Sequence, residues 1–290
     1  MVHRFLICIG LLVSLFSLNV NAISVIDDVG QEIVLKGEAR RIIALAPHIV
    51  EQLFEIGAGD KIVGTVSYSD YPDAAKSIPV IGGYNRFDME AIIALKPDLV
   101  IGWSSGNSVE QIEQLKRLGI TLFLDEPRKI DDIAKTMERF GLLTGREELA
   151  REAAKQYRNG FFDLREKSKG KAPAKLFYQL WHRPLMTVNG EHIINDILEL
   201  CGGENIFSVL PALTPVVSRE AVIAANPQLI ITSGMDNMRS ASQADWLEWK
   251  SMRAVKGGNV YHINPDIIHR ATPRILEGAT MICQFIESAQ

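Results

Sequence analysis

Two periodicities alternate along this chain. Near-continuous apolar runs rich in β-branched residues stand at "RIIALA" (Arg41 to Ala46), "KIVGTV" (Lys61 to Val66), "DLVIGW" (Asp98 to Trp103) and "ITLFLD" (Ile120 to Asp125). Runs of that kind are strands of a parallel sheet covered on both faces, where neither side of the strand meets water. Between them lie "HIVEQLFEIGAG" and "SVEQIEQLKRLG", with apolar residues at helical spacing and a terminating glycine at Gly57 and Gly119. The alternation resumes with strands at "KLFYQLW" (Lys175 to Trp181), "QLIITSG" (Gln228 to Gly234) and "NVYHIN" (Asn259 to Asn264). Helices are expected at "HIINDILELCGG", "SREAVIAAN", "DWLEWKSMRAVKGG" and "PRILEGATMICQFIES". The predicted fold is therefore α/β, with two lobes, each a mostly parallel sheet flanked by helices. Two short β-like runs around Asp27, Asp28 and Gly30 predict a hairpin ahead of the first lobe.

The segment between the lobes reads as one long helix. "TGREELAREAAKQYRNGFFDLREKSKG" opens with Thr144 and Glu147 at capping-box spacing and closes at Gly170. Leu149, Ala153, Tyr157, Phe161 and Leu164 form an apolar stripe on an otherwise charged surface. At 1.5 Å per residue such a helix is about 37 Å long, enough to run along both lobes, and it is stiffer than a loop hinge. The expected units are a leader over 1–22, a first lobe over 23–143, a connecting helix over 144–170 and a second lobe over 171–290.

One unit occurs twice. "EAIIALKPDLVIGW" from Glu90 and "EAVIAANPQLIITS" from Glu220 align without a gap, and seven of their fourteen positions are identical. Each copy is helix, turn and buried strand, and each begins with a glutamate. Such a glutamate favours the positive end of its helix by under about 1 kcal/mol. Two like carboxylates on two like lobes also suit a two-subunit partner, which arginines would orient through charge-assisted pairs.

Residues 1–22 change the count. His3 and Arg4 precede an apolar run ending in "VNA", the form of an export signal cleaved after Ala22. The remaining chain is expected to be soluble outside the cytoplasm. Without Arg4 it holds 31 − 1 = 30 basic residues against 35 acidic ones, a formal charge of −5, and no basic cluster, which argues against nucleic acid. Cys201 and Cys283 are then the remaining cysteines, and in an oxidising compartment they pair most simply as one disulfide; two buried free thiols are the alternative.

Three sets of residues could carry chemistry. Gly102-Trp103-Ser104-Ser105-Gly106 has the G-x-S-x-G form of a hydrolase elbow between strand and helix, with His182, His192, His262 and His269 downstream as triad partners for Ser104. The matching turn of the second copy, Thr232-Ser233-Gly234, carries no elbow, so the geometry belongs to the repeat and the chain is read as a non-enzyme. The histidines show no metal-ligand spacing, although His48, His269 and Asp266 could assemble a site from scattered positions. Tyr68, Tyr71, Tyr84, Trp103 and Trp181 follow or end predicted strands, the edge at which open α/β sheets take ligands. Two such edges facing each other would line a cleft with aromatic rings.

The phrases "VSYSDYP" (Val66 to Pro72), "ALKPDLVI" (Ala94 to Ile101), "CGGENIF" (Cys201 to Phe207), "VSRE" (Val217 to Glu220) and "RATPRI" (Arg270 to Ile275) resemble a known family. It is that of the periplasmic binding proteins of ABC importers that carry cobalamin and ferric siderophores and have a rigid helical connector. "SYSDYP", "CGGENIF" and "RATPRI" are closest to its cobalamin branch. The resemblance implies a monomer in the periplasm that carries cobalamin or a related corrinoid as transported ligand, with no cofactor and no metal of its own. It implies that Tyr68, Tyr84, Trp103, Leu180, Trp181, Thr214, Asp266, Ile267, Ile268, His269 and Arg270 border the ligand, and that Cys201 and Cys283 are bridged. It further implies docking of Glu90 and Glu220 on an ABC permease dimer with its ATPase subunits. Tyr84 and Thr214 stand where tryptophan is familiar in the family, and the alternative ligand is a ferric siderophore or heme-type group.

Overall fold

The structure is a computed structural model that describes residues 22–170, 172–234 and 236–290, with the side chains of 236–241 left aside. The expected leader over 1–22 lies, but for Ala22, outside the described residues.

The predicted hairpin is formed by β1 (Ile23–Ile26) and β2 (Glu32–Leu35), paired antiparallel. The first lobe follows as β3 (Ile42–Ala44), α1 (Pro47–Glu55), β4 (Ile62–Thr65), the short strands β5 (Gly82–Gly83) and β6 (Arg86–Phe87), α2 (Met89–Ala94), β7 (Leu99–Trp103), α3 (Val109–Arg117), β8 (Leu122–Asp125) and α4 (Ile130–Thr144). A long helix, α5 (Glu147–Ser168), leads to the second lobe. There the order is β9 (Ala174–Gln179), α6 (Ile193–Leu200), β10 (Gly203–Asn205), α7 (Arg219–Ala225), β11 (Leu229–Ser233), α8 (Asp236–Leu247), α9 (Arg253–Lys256), β12 (Val260–Ile263) and α10 (Ile275–Ser288).

Each lobe holds a four-stranded parallel sheet, ordered β4-β3-β7-β8 in one and β10-β9-β11-β12 in the other. Both are the same arrangement in chain order: second strand, first, third, fourth. The internal repeat is thus one quarter of a larger likeness, with β7 and β11 third in both sheets and α2 and α7 ahead of them. The strands are apolar throughout because alternate residues feed two cores. Ile42, Ala44, Leu99 and Ile101 face one side, while Ile43, Leu45 and Val100 face the other.

The lobes are not separate globules. One apolar cluster runs from Ile42 and Phe123 through Tyr157, Phe161 and Leu164 of α5 to Leu176, Ile231 and Ile275 of the second lobe. Cys201, capping α6, is bridged to Cys283 inside α10, which fixes the second lobe's outer helices to each other.

Three expectations about elements need correction. Thr144 ends α4 and does not cap the connector: its hydroxyl turns back to the Phe140 carbonyl at 2.7 Å, Gly145 stops α4 at φ +64°, and α5 starts at Glu147. The inner stripe of α5 begins with Ala150 and Ala154, whereas Leu149 is 55% exposed. Small residues win there because α5 packs tightly on α4, where a methyl group at Gly141 would overlap Ala150. The single helix expected over "DWLEWKSMRAVKGG" is the end of α8 and the separate short α9.

Candidate functional site

The carboxyl ends of both sheets converge on a cavity of about 410 Å³, within the range of about 300–1,000 Å³ usual for small-molecule sites. In each sheet the first and third strands lead their connections to opposite sides, and that switch point opens the crevice in which α/β folds hold ligands. From the first lobe come His48 after β3 and Trp103 ending β7; from the second come Leu180 after β9 and His269 beyond β12, with His192, Leu213 and Thr214 from the connections.

A buried amide sets the first lobe's wall. Asn107 Oδ1 accepts the Trp103 amide at 2.6 Å, and its Nδ2 donates to the carbonyls of Leu45 and Tyr84 at 2.9 and 2.6 Å. Three loops are thereby tied together behind one tryptophan. Gly106 is needed because a Cβ at that position would collide with the Trp103 ring. Packing thus accounts for Gly106, the last glycine of the G-x-S-x-G pattern. Among the described residues no hydrogen bond joins the Ser104 hydroxyl to a histidine, and its backbone amide is held by the Asp125 carbonyl at 3.0 Å.

His48 stands edge-on to Trp103, with ring centroids 5.5 Å apart. Its Nε2 lies 3.0 Å from Asp125 Oδ2, and Asp125 Oδ1 accepts the Thr136 hydroxyl at 3.0 Å. Nearby, burial and the charge of Asp125 raise the pKa of Asp28, which pairs with Arg139 at 2.7 Å.

In the opposite wall, His269 Nε2 lies 2.8 Å from Ser233 Oγ and 3.1 Å from the Tyr178 hydroxyl. Enclosure by the cleft and the neighbouring His192 lower its pKa to about 3, although part of the ring is open to solvent. His192 caps α6, its Nδ1 accepting the Ile194 amide at 3.1 Å. Burial, with Arg128 adding repulsion, lowers its pKa to about 4. Both shifts favour the neutral ring.

Of the residues expected to border a ligand, Trp103, Leu180, Thr214 and His269 line the cavity. Tyr68, Tyr84 and Trp181 stand outside it as exposed rings, with Tyr84 lying 6.0 Å from Trp103. Tyr68 is held at φ +68°, a left-handed conformation that costs a non-glycine residue about 1–2 kcal/mol. Its turn is pinned by Ser67 N donating to Gly82 O at 2.8 Å and by Thr65 Oγ1 donating to Ser69 Oγ at 2.8 Å. Ile267 and Ile268 are buried, Ile268 completely, so their side chains belong to the core. Asp266 and Arg270 belong to a charged junction between the lobes. Arg270 reaches Glu51 and Asp70 at 2.8 Å and Asp266 at 3.0 Å; Arg274 adds a contact to Glu51 at 3.4 Å and covers the Tyr71 ring. His48, His192 and Leu213 were not among the expected ligand neighbours.

Among the described residues no three His, Cys, Asp or Glu side chains are gathered to hold an ion, so His48, His269 and Asp266 do not form a shared metal site. Glu90 and Glu220 are exposed, each next to the N-terminus of its helix, and neither carboxylate is paired among the described residues.

With this geometry the comparisons agree. A profile of the periplasmic binding protein family matches residues 42–267, and the chain belongs to that family. It is 36% identical to a "Vitamin B12-binding protein" of Vibrio campbellii over 257 residues, 88% of this chain and 92% of the relative. The same identity holds over 250 residues against the protein of that name from Yersinia pestis, covering 86% of this chain and 87% of the relative. Among solved structures, the periplasmic vitamin B12 binding protein BtuF of Vibrio cholerae superposes with a TM-score of 0.81 at 34% identity, covering 87% of this chain and 98% of that one.

Proposed function

We propose that the mature chain is a periplasmic receptor that captures cobalamin or a related corrinoid in the inter-lobe cleft and delivers it to an ABC permease. The observation that carries this reading is the cavity at the facing switch points, walled by Trp103 and Leu180 with His48, His192 and His269 beside them. A pocket that sets Trp103, Leu180, Ile193 and Leu213 beside the ionisable Glu126, Arg128 and Glu191 suits a large macrocycle whose side chains are amides, because burial of the ring supplies affinity and the polar groups set orientation. The relatives named for vitamin B12 support the same ligand. The exposed rings of Tyr68, Tyr84 and Trp181 extend the apolar surface beyond the cavity. The receptor acts as a binder, without catalysis and without a resident cofactor, and it works as a monomer.

The test is a titration of the mature protein with cyanocobalamin, following tryptophan quenching and co-elution of the red chromophore on a sizing column. One-to-one retention is expected. No retention at micromolar ligand overturns the reading, and retention of a ferric siderophore or heme instead would reassign the cargo.

Delivery is assigned to Glu90 and Glu220, which recur at the same place in the two lobes and have no partner among the described residues. They would meet arginines of a permease dimer coupled to its ATPase subunits. Glu90→Ala combined with Glu220→Ala is expected to abolish ATP-dependent uptake into vesicles carrying the permease. An unchanged uptake rate would remove the docking role.

A further inference from the structure

One ring in the cleft has a bonding pattern that capture of a macrocycle by apolar contact does not require. His48 is 6% exposed, and its Nε2 is bonded to Asp125, a fully buried carboxylate whose second oxygen is held by Thr136. An ionised carboxylate accepts, so in the neutral ring the proton sits on Nε2 and the lone pair on Nδ1. Nδ1 makes no hydrogen bond among the described residues and is not a sealed-off atom, while the ring lines the cavity. An imidazole with one nitrogen donating to a buried carboxylate and the other left bare is arranged as a metal ligand is, with ring and tautomer fixed from behind. The other two cavity histidines differ: His192 uses Nδ1 to cap α6, and His269 Nε2 is engaged by Ser233 and Tyr178. No three-ligand ion site exists among the described residues, so a metal meeting His48 must arrive already held by its own ligand.

We propose that His48 Nδ1 binds the metal of the captured complex as an axial ligand. The corrinoids it holds more tightly are then those whose cobalt has an open or water-occupied axial position, while cyanocobalamin is held by the cleft contacts alone. This rests on the corrinoid reading above. For a Co(III) complex the Co–O bond to water breaks, the Nδ1 lone pair forms a Co–N bond, and one water leaves with no change in oxidation state. Trp103, edge-on to the imidazole, limits the tilt of the ring, and Asp125 strengthens its donor character.

The probe is cob(II)inamide, a corrinoid that lacks the nucleotide base, so an axial nitrogen must come from the protein. Electron paramagnetic resonance of its complex with the wild-type protein is expected to show triplet nitrogen splitting on the cobalt lines, turning to a doublet when the protein is made with ¹⁵N-histidine. His48→Gln is expected to lose the splitting, and aquocobalamin bound to wild type is expected to exchange its axial ligand for cyanide at least tenfold more slowly than free aquocobalamin. Retention of cobinamide without splitting overturns this inference and leaves the corrinoid reading standing; failure to retain any corrinoid overturns both. Should His48→Gln fail to fold, the isotope change in the wild-type spectrum still decides whether a histidine is bound. Splitting that survives in a folded His48→Gln variant rejects His48.

Discussion

At the scale of single residues, the site is built by groups that never face the ligand. Gly106 clears space for the Trp103 ring and Asn107 holds its backbone. Gly106→Ala should push the ring aside and weaken ligand binding by roughly fivefold, the worth of about 1 kcal/mol of aromatic contact; isothermal titration would show it. His192 allows a pH test. Its folded pKa of about 4 lies below the ordinary histidine value of 6.5, so it disfavours the protonated form. The stability it preserves is complete above pH 6.5 and declines as pH falls towards 4, by at most about 1.4 kcal/mol per pH unit. His192→Asn keeps a capping acceptor but removes the titration, so urea midpoints between pH 6.5 and 4 should fall less steeply than for wild type. Trp103 and Leu180, which line the cavity, stand at predicted strand ends, whereas Thr214 and His269 were expected only through the family resemblance. His48 follows a strand end equally well, but a lone histidine offers no sign of the buried Asp125 that fixes it. Ile267 and Ile268 are buried, and only a packed helix, α10, shows which side of that run faces inward.

Among elements, the apolar strands announced themselves, since parallel strands hidden on both faces leave continuous hydrophobic runs. The strands that did not are those with no apolar surplus to read: the two-residue β5 and β6, and β10, whose sequence is Gly-Glu-Asn. α4 has plain helical spacing at Ile130, Ile133, Ala134, Met137 and Phe140, yet the expected boundary at Thr144 was drawn from a capping pattern. That pattern fails because Thr144 is still the last helical residue of α4, with its hydroxyl turned back to the Phe140 carbonyl, and so lacks the extended backbone that an N-cap of the next helix requires. The cystine is legible from compartment and count, and its contribution belongs to this scale. Cys201 and Cys283 are 82 residues apart. Replacing both by serine should lower stability by up to about 4.5 kcal/mol on the chain-entropy view, read as a drop in the denaturant midpoint.

For the whole molecule, the repeated order of strands explains why a cavity lies between two lobes: equal sheets with their carboxyl ends turned towards each other present equal crevices. What the repeat does not reveal is the asymmetry of the junction. Glu51 is 3% exposed and is satisfied by Arg270 and Arg274 from the other lobe, while Gln52 Nε2 donates to the Ala271 carbonyl at 2.7 Å. Arg270→Ala leaves a buried carboxylate short of a partner and should cost about 3 kcal/mol, measurable by thermal unfolding.

That junction has a bearing on timing. With α5 along one flank, a shared apolar core and Arg270 fastening one wall to the other, the empty cleft is expected to be nearly its own bound form. Capture would then be limited by diffusion and orientation, and escape would follow a slow spontaneous clock set by the contacts alone. On the proposed function, a receptor whose lobes are joined by one stiff helix stores no spring with which to eject its cargo, so release is expected to be worked from outside. The factor by which a docked permease shortens the residence time of the ligand would report how much mechanical work it performs on the two lobes.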